Sequence, residues 1–222
     1  MKLKKMLYGA CAVLASVATT PAMADASDFA GPFLGLNASV NGIELDGSTS
    51  DSNNQVMNGS AGMFGVAGGG EIGYNIPITG NFFVTVGANI NPGDVKISVD
   101  AGGAANANND DVTMEISDLQ TFFIQPSFSF SPSSAVYLKY GQTEADIEVT
   151  GDVTKITSLD GDTFGIGTIS LTSTGIYFKS EAGYTDFENI RLDGLGTYIN
   201  TTSGANASPK AAYGQVSIGY KF

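Results

Sequence analysis

The sequence predicts an all-β fold: an eight-stranded antiparallel up-and-down transmembrane β-barrel with four long extracellular loops and three short periplasmic turns. Three observations predict it. After residue 24 the chain alternates apolar with small polar residues in eight stretches, the period-two mark of strands whose two faces differ. The connections between these stretches run long, short, long, short, long, short, long, the loop asymmetry of a membrane barrel. Only 14% of the residues are charged, against about 25% in ordinary soluble domains, too few for a usual soluble exterior.

The N-terminus reads as a secretory signal peptide. Met1-Lys-Leu-Lys-Lys5 is a basic start, residues 6 to 18 are a short apolar core, and Ala22-Met-Ala24 is a small-x-small cleavage site. Two segments are therefore expected, the signal over 1–24 and the barrel over 25–222. Cys11, the single Cys, lies within the signal, far from the cleavage site, which argues against lipoprotein processing. A chain starting at Asp25 has no Cys and no His, so no disulfide and no thiolate or imidazole metal site is expected. The signal holds three of the ten Lys+Arg and none of the 22 Asp+Glu, leaving 7 − 22 = −15 for the remainder. Nucleic acid binding needs a basic face, so nucleic acid is a poor candidate and no nucleic-acid partner is expected.

The first stretch runs from about Pro32 to Leu45, with Leu34, Leu36, Ala38 and Val40 on one parity and Gly35, Asn37, Ser39 and Asn41 on the other. Residues 46 to 60 read as a polar loop. The second, about Gly62 to Asn75, places Phe64, Val66, Ile72 and Tyr74 together and Glu71 opposite, then turns at Ile76 to Gly80. The third, about Asn81 to Asn91, sets Phe82, Val84, Val86, Ala88 and Ile90 against Thr85, Gly87 and Asn89. Pro92-Gly93 interrupts it, as a bulge or the end of the ordered strand, and a loop follows over Asp100 to Asp111. The fourth, Val112 to Phe130, keeps Phe122, Ile124, Phe128 and Phe130 on one parity around Pro126. Asp118 and Gln120 spoil that parity, and a bulge near 117 to 120 would repair it.

After a turn at Ser131 to Ala135, the fifth stretch sets Val136, Leu138 and Tyr140 against Tyr137, Lys139 and Gly141, then fades into the acidic segment Glu144 to Glu148. A long loop reaches Asp162. The sixth, Thr163 to Leu171, carries Phe164 and Ile166 opposite Gly165 and Gly167, before a turn near Thr172 to Gly175. The seventh places Ile176, Phe178, Ser180, Ala182 and Tyr184 against Tyr177, Lys179, Glu181, Gly183 and Thr185. Residues 188 to 209 connect it to the eighth, Tyr213 to Phe222, where Gly214, Val216, Ile218, Tyr220 and Phe222 oppose Tyr213, Gln215, Ser217, Gly219 and Lys221. This last strand is expected to pair with the first near Leu34 to Val40, leaving no free edge.

A soluble barrel hides its apolar parity and a membrane barrel exposes it. Glu71, Lys139, Lys179, Glu181 and Lys221 all lie opposite the apolar parity. The polar parity is otherwise so small and uncharged that it suits a narrow lumen better than a soluble surface. A basic side chain facing lipid at the bilayer midplane costs about 2–4 kcal/mol, and the breaks in the apolar parity at Lys96 and Asp186 fall near loop ends. Aromatic residues gather near strand ends: Tyr74, Phe82, Phe83, Phe128, Phe130, Tyr137, Tyr177, Tyr220 and Phe222 at the short-turn end, Phe64, Tyr184 and Phe187 nearer the other. Girdles at both interfaces are expected of such barrels.

A signal peptide, eight alternating stretches, Tyr177-Phe-Lys-Ser-Glu-Ala-Gly-Tyr184 and the ending Tyr220-Lys-Phe222 together resemble the small Gram-negative outer-membrane β-barrel family, porin-like proteins of the OmpA, OmpX and Opa shape. The resemblance implies a bacterial outer-membrane location after export through the inner membrane. It also implies that Phe222, with Tyr220 two before it and Ile218 four before it, is read by the outer-membrane assembly machinery. Outer-membrane lipid and lipopolysaccharide are the other partners expected, and the chain is expected to be monomeric.

The candidate site is a charge network in the lumen, Glu71, Lys139, Lys179 and Glu181, since buried charges need partners. It is read first as a plug fixing register, second as a gate or selectivity element. Acids also cluster at Asp46 and Asp51, Asp110 and Asp111, Asp160 and Asp162, but the ligand spacing of a calcium loop is missing. Outer-membrane hydrolases use histidine and this chain has none. The expected function is thus non-enzymatic, structural or surface-interacting, without cofactor or metal and with a closed or very narrow lumen. A small porin and a secreted soluble β-protein or adhesin domain are the alternatives.

Overall fold

A computed structural model describes residues 25–50, 56–92, 95–99, 112–150, 157–192 and 205–222. The segment 1–24, and with it the expected signal, lies outside them. A short 3-10 turn, Ala26–Phe29, precedes ten strands: β1 (Gly31–Ser50), β2 (Val56–Thr79), β3 (Phe82–Asn91), β4 (Val95–Val99), β5 (Val112–Ser131), β6 (Ser134–Thr150), β7 (Ser158–Leu171), β8 (Ile176–Phe187), β9 (Ile190–Leu192) and β10 (Ala205–Lys221). They make eight staves. β4 continues the third stave along β5 past Pro92, and β9 continues the seventh along β10 past Asn189. Each stave pairs antiparallel with its neighbour in sequence, and β10 returns to β1 from Phe33↔Lys221 to Ser48↔Asn206. At the closure Gly31 has φ 117, and a Cβ there would lie 2.8 Å from the Phe222 carbonyl oxygen, so only glycine fits this corner.

The register fixes the bore. Starting at Phe33 and stepping through Gly73, Gly87, Phe123, Gly141, Thr163, Thr185 and Ala211, the partners return to β1 at Ile43, ten residues along the same strand. Such a stagger goes with strands tilted by about 35–45°, and eight of them enclose a space that side chains can fill. The expected repair in the fourth stretch is present. Ser117 pairs with Asp146 but Gln120 with Glu144, so one residue is extra, and Asp118 takes φ 50. A left-handed backbone is tolerated by Asp better than by most residues. Through this bulge the inward parity passes from Ile116 to Phe123.

The strands run further than the alternation suggested. The expected loop 46–60 contains the ends of β1 and β2, the acidic segment Glu144 to Glu148 is strand, and Asp160 and Asp162 stand on β7 rather than in a loop. Asp51, Asp110 and Asp111 lie outside the described residues. The reason the alternation failed there is that the faces exchange chemistry. Lower on the staves the outward residues are apolar: Leu36 is 69% exposed and Phe64 83%. Towards the loop end the outward residues become Glu44, Asp46, Glu144, Asp146, Asp160, Asp162 and Asp186, all exposed. On the same strands the inward residues become Ile43, Ala145, Ile147, Leu159 and Phe187, buried in one apolar cluster. The staves behave as a membrane barrel below and as a water-soluble barrel above.

Candidate functional site in the barrel lumen

The inward side chains form three layers. The turn end is closed by apolar groups: Phe29, Phe33, Phe83, Ala135, Tyr137, Ile169 and Tyr177 are buried together with Ala26. The 3-10 turn supplies Phe29, whose ring stacks on Phe83 at 5.0 Å. Its backbone is tied in by the Ala26 N–H donating to the Gly80 carbonyl at 2.6 Å and by the Asn75 amide donating to the Phe29 carbonyl at 2.8 Å. The turn itself is capped by Asp25, whose carboxylate accepts from the Ser27 N–H at 2.9 Å. Phe83, Tyr137 and Tyr177, read from the sequence as girdle residues, are thus lumen residues, and so is Phe187 at the other end. Tyr74, Phe82, Tyr220 and Phe222 do face outward.

The middle layer holds the four candidate charges, which are 4% (Glu71, Lys139) and 8% (Lys179, Glu181) exposed. They form two separate groups. Lys139 Nζ lies 2.9 Å from Glu181 Oε1, which also accepts from the Tyr213 hydroxyl at 2.7 Å, while Tyr137 donates to Glu181 Oε2 at 2.9 Å. Lys139 stands 4.6 Å from the centre of the Phe123 ring. Glu71 Oε1 accepts from Tyr177 at 2.7 Å, and Lys179 Nζ is 3.3 Å from that same oxygen without hydrogen-bond alignment. Lys179 stands over Phe33, 4.3 Å from the ring centre, a favourable place for a cation. Two acids and two amines leave the layer neutral. Lys221, the remaining inward charge, donates to the Asp28 carbonyl at the turn end.

The rings around these charges, three of them shared with the turn-end layer, were missed as site residues, though a signal for them existed. Each stands directly across from a glycine on the neighbouring strand: Phe33 from Gly73, Phe123 from Gly87, Tyr137 from Gly167, Tyr177 from Gly219 and Tyr213 from Gly183. A Cβ on any of the five glycines would run into the ring it faces. The inward glycines are therefore seats for rings, the large-against-small packing a narrow barrel requires.

Above the charges on β5 to β8 runs a chain of hydroxyls. Thr121 and Thr143 Oγ1 are 2.7 Å apart, Thr143 and Thr163 2.6 Å, and Thr163 and Thr185 2.7 Å. The third layer is the upper apolar cluster, with Ile116, Ile190, Ala207 and Ala211 joining the residues named above. Ile218, Tyr220 and Phe222 lie on the outer face of β10, and the Tyr220 and Phe222 rings meet edge-on at 5.0 Å.

A family model for the outer membrane protein beta-barrel domain matches residues 10–222. Among solved structures, OprG of Pseudomonas aeruginosa is similar over 90% of this chain and 100% of its own, with a TM-score of 0.52 and 12% identity. Ail, the attachment invasion locus protein of Yersinia pestis, crystallised with a heparin analogue, is similar over 85% of this chain and 99% of its own, with a TM-score of 0.44 and 10% identity. Neisserial surface protein A is similar over 83% and 97%, with a TM-score of 0.36 and 13% identity. No curated protein matches the chain.

Proposed function

The chain belongs to the outer membrane protein beta-barrel domain family, a bacterial outer-membrane family, and from that premise we propose a non-enzymatic barrel with a closed lumen that serves envelope structure or surface interaction. The filling of the bore carries this reading. Apolar clusters occupy both ends, and between them the buried Glu71, Lys139, Lys179 and Glu181 each lie within 3.3 Å of an opposite charge. An ion crossing this bore would have to displace packed rings and break a buried ion pair, and removing one partner of such a pair typically costs about 3–5 kcal/mol. Both glutamates are buried in the lumen and accept from tyrosine hydroxyls there. Liposomes carrying refolded 25–222 should lose entrapped potassium no faster than empty ones. Rapid loss would replace this reading with that of a small porin.

The surface role rests on the upper wall, where acids line the outside of β6, β7 and β8. An open groove there is bordered by Phe122, Glu144, Asp160, Asp162, Phe164 and Asp186. Outer-membrane lipid and lipopolysaccharide are the proposed neighbours of the apolar belt below, with the chain a monomer. The assembly machinery is the proposed reader of Ile218, Tyr220 and Phe222, which are exposed along one outer face. Deleting Phe222 should reduce the protein recovered in outer-membrane fractions more than it reduces β-content in detergent. Equal recovery of the truncated chain would detach Phe222 from assembly.

A further inference from the structure

Among the described residues, four of the five buried side-chain polar atoms without a partner lie on β1 and β3, and the fifth reaches in from β8. Both side-chain polar atoms of Asn37, Oδ1 of Asn89, Oδ1 of Asn91 and Nζ of Lys179 are buried and make no hydrogen bond to any described atom. The pairing register draws them together. Asn37 is opposite Gly69, and Glu71, two residues on, is opposite both Gly35 and Asn89. Gly69 has no side chain, and the Asn91 carboxamide lies over it, where a Cβ would collide with that amide and with the Ile90 carbonyl. Lys179 reaches this group from β8 through Glu71. An ammonium has three protons to donate and a carboxamide four bonding positions, and leaving such groups buried and unmet is what native proteins avoid.

We propose that these residues bind ordered water in a discrete cell around Gly69, bridging Asn37, Asn89, Asn91 and the Lys179 ammonium. A buried water makes about three hydrogen bonds, and five unmet atoms on three strands supply them. Water also completes the Glu71–Lys179 pair, which by its own geometry lacks the alignment seen at Lys139 and Glu181. Beside the cell, β3 ends at Asn91 and its pairing with β2 ends at Gly70. The cell belongs to the inner wall and stands whether or not ions cross the barrel.

The test uses refolded 25–222 in detergent micelles, with water itself as the probe in water-selective nuclear Overhauser spectra. Cross-peaks from long-lived water are expected at the carboxamide protons of Asn37, Asn89 and Asn91, and none at the Thr163 methyl group in the hydroxyl chain. Asn37→Leu should abolish the cross-peaks at Asn89 and Asn91 as well, because the water is shared. Should Asn37→Leu not fold, Asn37→Ser, which leaves room and a polar group, should retain them. Absence of water signal in the unaltered protein would overturn the proposal. So would direct hydrogen bonds between the asparagines, equal signal at Thr163, or cross-peaks at Asn89 and Asn91 that survive Asn37→Leu.

Discussion

The two buried ion pairs are made of the same residue types and are equally hidden, yet they are held differently. Glu181 receives one lysine and two tyrosines, with both carboxylate oxygens bonded, and the threonine hydroxyl chain crosses β5 to β8 above it. Glu71 receives one tyrosine and a lysine whose ammonium is near but not aligned, beside asparagines with unmet capacity. Direct contacts lock the lumen around Glu181, while the proposed water completes it around Glu71. Burial alone thus does not measure how firmly a charge is fixed. The number and direction of its hydrogen bonds do.

This contrast predicts unequal responses to equal changes. Glu181→Gln strands Lys139 in a fully bonded site and should cost about 3–5 kcal/mol, read from urea unfolding in lipid vesicles. Glu71→Gln should cost less, about 1.5–3 kcal/mol, because its lysine already relies on water. Equal losses would erase the distinction. Glycines should divide the same way. A Cβ on Gly167 would stand 2.5 Å from the Tyr137 ring, so Gly167→Ala should cost about 1–3 kcal/mol by overpacking. Gly68 faces outward with no atom nearer than 3.8 Å to such a Cβ, so Gly68→Ala should be neutral or stabilise by about 0.4–1 kcal/mol. Thr163→Val interrupts the hydroxyl chain and should lower stability by about 1 kcal/mol. Asp162→Asn, on the exposed upper wall, should stay within about 0.5 kcal/mol, as measured by the temperature of the heat-modifiable gel shift.

Much of the barrel was legible in its period-two pattern. The eight staves, the closure of the last on the first, the inward placement of Glu71, Lys139, Lys179 and Glu181, and a bulge near 117 to 120 all follow from parity, while its position at Asp118 comes from the backbone. Height along a strand suggests a girdle position for Phe83, Tyr137, Tyr177 and Phe187, but parity places all four in the lumen. Their parity is inward throughout, and the glycines facing the five rings around the charges share it: Gly73, Gly87, Gly167, Gly183 and Gly219. Strand ends were underread because a single assignment of apolar to outside holds only where lipid is outside. At Glu44 and Glu144 the alternation continues with its faces exchanged, and a reading tied to one sign stops there. Partner choice in the ion pairs was hidden for another reason. It depends on the ten-residue stagger around the barrel, which no local pattern encodes.

Planar-bilayer recording on refolded 25–222 tests the closed-lumen account most directly. Layered apolar clusters around paired charges predict a silent bilayer under applied voltage, for the unaltered protein and for Lys139→Met alike. Steady unitary currents from the unaltered protein that change in size with Glu71→Gln or Lys179→Met would contradict it and make the charged layer the lining of a pore.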